Sequence, residues 1–472
     1  MSENCKIYTP KEYVEEVLDA IGYSDNLYGR SVLENSCGIG DILCTIVERY
    51  IVSSINRGFN HDEIKKGLER DICGTEIDYE SVNECKKNLT QVAENYGIRR
   101  VNWQIIHCDY LKNKMERSFD YIIGNPPYIV YRDINKNDQE YIRENFETCK
   151  KWKFDYYYAF IEKSIIDLAV NGKMAYIVPY SFYKNEGASL VRELIKPFVT
   201  RVIDYTHSKK FPGVITSSTM LVLQKRPSLS IQYDDVNKNV TSIIPKEILS
   251  SKWVFNTGSY NKGEYVFGDY FNVFNTVATL FNEAFVLNDF EKVGNYYCVG
   301  DRKVEAGIVK PAISRKKGDN ALNVAIIFPY YFQSGNLMHY TEQQLKDLFP
   351  HAYEYLTQFK DDLVKRTRDE KAKWFEYGRS QALTTVFSEK LVFPSIGTKK
   401  IYTTLVDKET IPLAGFFVTA KSKSHTLEEA KSILESPEFY SYLCCCGVFT
   451  TGYSRRISVK DVLAYRFSNW GN

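Results

Sequence analysis

From Ser31 to about Lys225 the chain alternates short apolar runs rich in β-branched residues with longer stretches whose apolar positions recur every three to four residues. Ser31–Glu34, Asp71–Glu76, Val101–His107, Phe119–Gly124, Lys173–Val178, Val199–Asp204 and Ser218–Leu223 read as strands. Ile42–Asn56, Tyr79–Asn95, Tyr156–Val170 and Gly187–Ile195 read as amphipathic helices. Alternation at this spacing predicts an α/β fold with a doubly wound, mostly parallel sheet. Ligands in such sheets bind beyond the carboxyl ends of the strands. Beyond Pro227 the rhythm breaks. Asp234-Asp235-Val236-Asn237-Lys238-Asn239 reads as a polar loop, and the rest is an irregular α+β pattern punctuated by Gly, Asn and Tyr. A long helical stretch, Thr341–Tyr377, is interrupted at Pro350, and short strands such as Lys390–Pro394 follow. The expected division is a first domain over residues 1–230 and a second over 231–472.

Length agrees with two domains, since single cores rarely grow beyond about 250–300 residues and the chain has 472. A hydrophobic content of 44% with 25% charged residues describes an ordinary globular composition. The net charge of +2 weakens a nucleic-acid reading without removing it, because a basic face is all such a partner requires. The 11 cysteines show no paired metal-ligand spacing and there are only six histidines, so no metal site is expected and the thiols read as reduced. The first residues lack a signal-peptide apolar core and no run reaches membrane-spanning length, which gives the expectation of a cytoplasmic protein with no membrane partner.

The chemistry gathers at predicted strand ends. The fourth strand closes on Asn125-Pro126-Pro127-Tyr128. Neither proline has an N–H, so the pair neither continues a ladder nor enters a helix, and the carbonyls of Asn125 and Pro126 are left to point outward. With the Asn125 amide and the Tyr128 ring they could hold a planar amino group by its N–H bonds and cover its face. An isolated Asn-Pro-Pro is as often a plain strand-end turn. The first strand, however, runs into Glu34-Asn35-Ser36-Cys37-Gly38-Ile39-Gly40-Asp41, where the two glycines permit a tight turn and close approach of a ligand. Its acids disfavour phosphate and suit a cationic or zwitterionic ligand. The second strand ends at Glu76, followed by Ile77, in the position that takes ribose hydroxyls. The third ends at Asp109-Tyr110, an acid for an exocyclic amine and a ring to cover a base. Each acid alone reads equally well as a helix cap. Three consecutive strand ends of this kind ahead of Asn-Pro-Pro-Tyr do not.

With these residues the chain resembles the gamma-class, TaqI-type N6-adenine DNA methyltransferases of restriction–modification systems, strongly from Tyr8 to about Lys225 and more loosely beyond. The resemblance implies a Rossmann-like S-adenosylmethionine-dependent domain followed by a mixed α+β target-recognition domain. It assigns Tyr8-Thr9-Pro10 to closing over the methionine moiety of S-adenosylmethionine. Glu34, Ser36, Cys37, Gly38 and Gly40 become the cofactor loop, with Glu34 as the acid that contacts the cofactor. Glu76 with Ile77 is assigned to the ribose, and Asp109, Tyr110 and Phe160 of Tyr158-Ala159-Phe160 to the adenine of the cofactor. Asn125, Pro126, Pro127 and Tyr128 become the catalytic motif, with Asn125 and Pro127 also lining the cofactor site. Phe211 of Phe211-Pro212 joins Tyr128 in stacking on a target base. The family form Asp-Pro-x-Cys-Gly-x-Gly is here Glu34-Asn35-Ser36-Cys37-Gly38-Ile39-Gly40, so Asn35 replaces a proline.

The implied activity is methyl transfer to N6 of a flipped-out adenine in double-stranded DNA by the modification enzyme of a type II system, as a monomer. A cognate restriction endonuclease would be a functional rather than physical partner. In the second domain the stretch Trp374–Leu383, with Arg379, is similar to the recognition domains of this group, and Gly452–Arg456, with Arg455, reads as a loop near DNA. Basic pairs such as Arg302-Lys303 suit phosphate contacts. Other readings stay open at this point: RNA adenine methylation, methylation of a protein glutamine, and a non-catalytic DNA-binding subunit.

Overall fold

The computed structural model describes residues 9–206, 218–255, 261–315, 321–398, 400–450 and 454–470. Two compact units result, Met1–Thr257 and Gly258–Asn472. The first begins with α1 (Lys11–Ala20), which follows Pro10 and buries Tyr13, Val14, Val17 and Leu18 along one face. Then come β1 (Val32–Glu34), α2 (Asp41–Asn56), α3 (His61–Asp71), β2 (Ile72–Glu76), α4 (Tyr79–Asn95), β3 (Gln104–His107) and β4 (Phe119–Gly124). After β4 lie α5 (Lys136–Asn145), α6 (Tyr157–Asp167), β5 (Leu168–Pro179), α7 (Ser189–Ile195), β6 (Val199–Asp204), β7 (Ser218–Gln224), β8 (Ser230–Asp235) and β9 (Val240–Pro245).

All nine strands form one sheet in the order β3-β2-β1-β4-β5-β7-β6-β8-β9. The block from β3 to β5 is parallel throughout, as the alternation of strands and helices predicts. β7 runs antiparallel between β5 and β6. The chain order reverses at β1, whose neighbours are β2 and β4, and a crevice outside the strands' carboxyl ends lies at such a point. Apolar residues bury on both faces: one cluster includes Phe119, Ile122, Tyr157, Phe160 and Leu223, the other Val14, Ile46, Ile123, Ile177 and Val222.

The expected junction lies elsewhere. Asp234 and Asp235 are the last residues of β8, and Asn239, at φ +53°, turns the chain into β9, so the polar run is a hairpin inside the first unit. β8 pairs in parallel with β6 from Arg201↔Gln232 to Asp204↔Asp235. The second unit is mixed α+β. One antiparallel sheet joins Phe271–Asn275, Phe416–Ala420, Lys390–Phe393 and Thr404–Val406. The stretch from Thr341 to Tyr377 forms three short helices, Glu342–Leu348, Pro350–Thr357 and Lys360–Lys365, and no helix after Lys365. Among the described residues no helix is long and apolar enough to cross a membrane.

Candidate active site

The strand order sets the tips of β3, β2, β1 and β4 side by side, and with them Asp109, Glu76, Glu34 and Asn125. Between β1 and α2 the chain turns tightly, with the Gly40 N–H donating to the Cys37 carbonyl at 2.8 Å. Gly40 has φ +94°, and a Cβ there would stand 2.8 Å from the Cys85 sulfur on α4, so this position requires glycine twice over. Gly38 has φ +51°, and a Cβ there would meet nothing within 4 Å. One glycine thus lets α2 pack on α4, while the other offers bare backbone to open space.

Glu76 pins this loop. Its carboxylate accepts the N–H groups of Gly38 at 2.9 Å, Ile77 at 2.8 Å and Asp78 at 3.0 Å. Beside it Ile77 and Tyr79 are exposed. Asp109 accepts the Leu111 N–H at 3.0 Å and lies 3.4 Å from Lys112 Nζ, with its carboxylate partly open. Thr9, 5% exposed, donates its backbone N–H to the Asp41 carboxylate, and its hydroxyl is 3.5 Å from Asn125 Nδ2. The Thr9-Pro10 segment therefore lies against the start of α2 and beside Asn125. Tyr8 lies outside the described residues, as does Phe211.

The β4–β5 ladder ends at Gly124↔Tyr176. Past it, the Ser36 hydroxyl donates to the Asn125 carbonyl at 3.4 Å. The Tyr128 hydroxyl stands 2.5 Å from Asn125 Oδ1 and 2.6 Å from the Ile177 carbonyl on β5. Its ring meets Tyr157 edge-on at 5.6 Å. Burial pushes the Tyr128 hydroxyl well above its ordinary pKa, so it keeps its proton.

Two expectations change. Glu34 is 2% exposed and accepts the Leu43 N–H in the first turn of α2, so it holds the loop from beneath instead of presenting its carboxylate to a ligand. Its Oε2 has no partner among the described residues, and burial raises its pKa well above the ordinary value. Tyr110 is turned inward: it is 3% exposed, its hydroxyl donates to Asp167 at 2.8 Å, and its ring tilts against Phe160 at 5.3 Å. Phe160, 5% exposed, backs Tyr110 in the core. Exposed Ile77, not the Tyr110 ring, is the apolar surface next to Glu76.

The sequence reading passed over Asn35. Its side chain is buried and donates to Ser164 Oγ at 3.0 Å and to the Tyr176 hydroxyl, while Ser164 and Tyr176 are 2.7 Å from each other. Ser164 also approaches the Tyr110 hydroxyl at 3.4 Å, and Asp167 is paired with Lys163 at 3.0 Å. This network ties the loop after β1 to α6, β5 and the residue after Asp109. The replaced proline was its one sequence signal. In the second unit Arg379 is paired with Asp369 at 2.9 Å, and Arg455 lies in the strand Arg455–Arg456, which pairs with Ile396–Gly397.

Residues 41–211 match the Eco57I restriction-modification methylase family. The chain is 28% identical over 260 residues to the Type II methyltransferase M.BstVI of Geobacillus stearothermophilus, covering 52% of this chain and 45% of that protein. It is 23% identical over 312 residues to the Type II restriction enzyme and methyltransferase RM.Eco57I of Escherichia coli, covering 56% of this chain and 31% of that protein. The methylase segment contains Glu76, Asp109, Asn125–Tyr128 and Phe160, whereas Thr9-Pro10 and the glycine loop precede it. The chain spans less than half the length of both relatives. Among solved structures, the Type IIL restriction-modification enzyme MmeI in complex with DNA shares the fold at a TM-score of 0.61 and 11% identity, over 96% of this chain and 64% of that one. The DrdV–DNA complex follows at 0.53 and 12%, over 88% of this chain and 49% of that one.

Proposed function

We propose that this chain is a DNA methyltransferase that uses S-adenosylmethionine to methylate N6 of an adenine flipped out of double-stranded DNA, as the modification enzyme of a type II restriction–modification system. The observation that carries the reading is Asn125-Pro126-Pro127-Tyr128 at the tip of β4, beside strand tips bearing Glu76 and Asp109. The chemistry of these residues fits the cofactor. Glu76 has acceptor capacity beyond the three backbone N–H groups it takes, as a ribose diol requires. Gly38 leaves open space above its backbone, Ile77 is an exposed apolar surface, and Asp109 can accept an exocyclic amine. Asp41 and Thr9 supply polar groups on the side facing Asn125. When bound, S-adenosylmethionine supplies a methyl group already activated by its sulfonium.

The chain's own part is to make the adenine amine a nucleophile. Its lone pair is delocalised into the ring. The Asn125 side-chain oxygen and the Pro126 carbonyl each accept one N6–H bond, which favours a pyramidal nitrogen with its lone pair free to attack. No hydrogen bond to the Pro126 carbonyl is found among the described residues, so that acceptor is available. No strong base is required, since the proton leaves after transfer. Extrusion of the base costs a few kcal/mol, and stacking on Tyr128 and Phe211 returns about 1–3 kcal/mol for each ring. The second unit is proposed to read the target sequence, with Arg379 and Arg455 among its contacts, and a cognate endonuclease as functional partner. Single-molecule sequencing of DNA from cells expressing the chain, beside an Asn125→Ala control, tests this. A sequence motif carrying N6-methyladenine only with the unmutated chain is expected; its absence rejects the reading.

A further inference from the structure

Resting on that functional reading, the Tyr128 hydroxyl has work that its ring alone does not explain. It stands 2.5 Å from a terminal atom of the Asn125 amide and 2.6 Å from the Ile177 carbonyl oxygen. A phenol has one proton to donate. The Ile177 carbonyl is an acceptor only, and it lies on β5 just past the last ladder pair of β4, where Pro126 and Pro127 bring no N–H. Both contacts are favourable together in one arrangement alone: the hydroxyl donates to Ile177 and accepts from the amide. Only the NH2 end of Asn125 can supply that second bond. With Oδ1 facing the hydroxyl instead, two acceptors compete for one proton.

We propose that Asn125 Nδ2 donates to the Tyr128 hydroxyl, which donates to the Ile177 carbonyl, and that this two-link chain fixes the Asn125 amide with Oδ1 directed away from Tyr128. Oδ1 then occupies the position 3.5 Å from the Thr9 hydroxyl, at the outer limit of a hydrogen bond, and its lone pairs are left for the incoming amine. Tyr128 is thereby a positioning residue as well as a stacking surface. Each link polarises the next, so the acceptor is aligned before substrate arrives, and no reorientation is needed during transfer. The hydroxyl's pKa is raised well above its ordinary value, so it keeps the proton that the chain needs.

Tyr128→Phe in the full chain separates the two roles, because it keeps the ring. Steady-state methylation of double-stranded DNA is expected to show kcat down roughly tenfold or more, with KM for DNA and for S-adenosylmethionine within about twofold of the original. Tyr128→Leu, which loses the ring too, is expected to raise KM for DNA as well. A second measurement needs no turnover. In asparagine-labelled protein without DNA or cofactor, one Asn125 Nδ2 proton (identified by its loss in Asn125→Ala) is expected to be protected from solvent exchange, and to lose that protection in Tyr128→Phe. An unchanged kcat in Tyr128→Phe, or an unprotected Asn125 amide in the original chain, overturns the proposal. Failure of the original chain to form N6-methyladenine in DNA overturns the functional reading instead, and the exchange measurement still decides the orientation of the amide.

Discussion

A carboxyl group buried as deeply as that of Glu34, with one oxygen on the Leu43 N–H and the other without a partner among the described residues, has its pKa raised by desolvation. Its folded-state pKa lies above the ordinary 4.5, so between the two values the folded chain holds more protons than the unfolded one. Its contribution to stability is therefore fully present below 4.5 and is lost as pH rises toward the folded value, at up to about 1.4 kcal/mol per pH unit. Glu34→Gln keeps the shape and removes the titration. In urea unfolding over roughly pH 5 to pH 8, the variant is expected to lose less stability with rising pH than the original; equal slopes would refute a neutral Glu34. At Asn125 the expectation concerns activity: Asn125→Ala should lower methyl transfer by about a hundredfold or more while calorimetry shows S-adenosylmethionine still binding. The end of β4 just before Asn125 was legible because two prolines after an apolar strand are a local, chemical signature. Tyr110 and Glu34 misled because whether a strand-end side chain turns inward depends on α6 and α2 packing beside it, which local sequence does not encode.

Asn35, Ser164 and Tyr176 join the loop after β1 to α6 and β5 through hydrogen bonds that are all buried. Tyr176→Phe leaves the Asn35 amide and the Ser164 hydroxyl short of a partner, at a cost of about 1–3 kcal/mol. A matching fall in the urea midpoint at unchanged slope checks it. Gly40→Ala should be at least as damaging, since φ +94° and the sulfur of Cys85 at 2.8 Å oppose any side chain. Elements with strong periodicity were legible: β4, β6 and α4 have the expected limits. Others were not. α6 stops at Asp167 and β5 already begins at Leu168, ahead of the Asn171-Gly172 pair that the sequence offered as the turn. The expected long helix ends at Lys365 because the Arg366 guanidinium donates to the carbonyls of Thr279, Trp374 and Glu376, and the following segment wraps around it. A single arginine in a helical pattern gives no sign of that.

At the scale of the whole chain, the limits of the first unit decide what folds alone. A break at residue 230, where the polar run suggested one, removes β8 and β9 and leaves β6 with an open edge. It also deletes the Tyr233 hydroxyl from Asp204 at 2.6 Å, and Trp253, which is 1% exposed, stacks on Tyr183 and donates its backbone N–H to the Tyr183 carbonyl at 2.9 Å. Lys184 loses the Trp253 carbonyl, and Arg192 loses the Ser251 carbonyl while keeping those of Phe182 and Asn185. A break after Thr257 keeps all of these. Residues 1–257 expressed alone are therefore expected to be monodisperse and to unfold in one cooperative step, whereas residues 1–230 are expected to aggregate. The longer fragment should bind S-adenosylmethionine with an affinity near that of the full chain, because Glu76, Ile77, Asp109 and Thr9 all lie within it. Its affinity for double-stranded DNA should fall by at least about tenfold if residues 258–472 carry the base and phosphate contacts. Calorimetry and DNA titration on the one fragment read the two outcomes separately. Lost cofactor binding would place part of the cofactor site in the second unit, and undiminished DNA affinity would place recognition in the first.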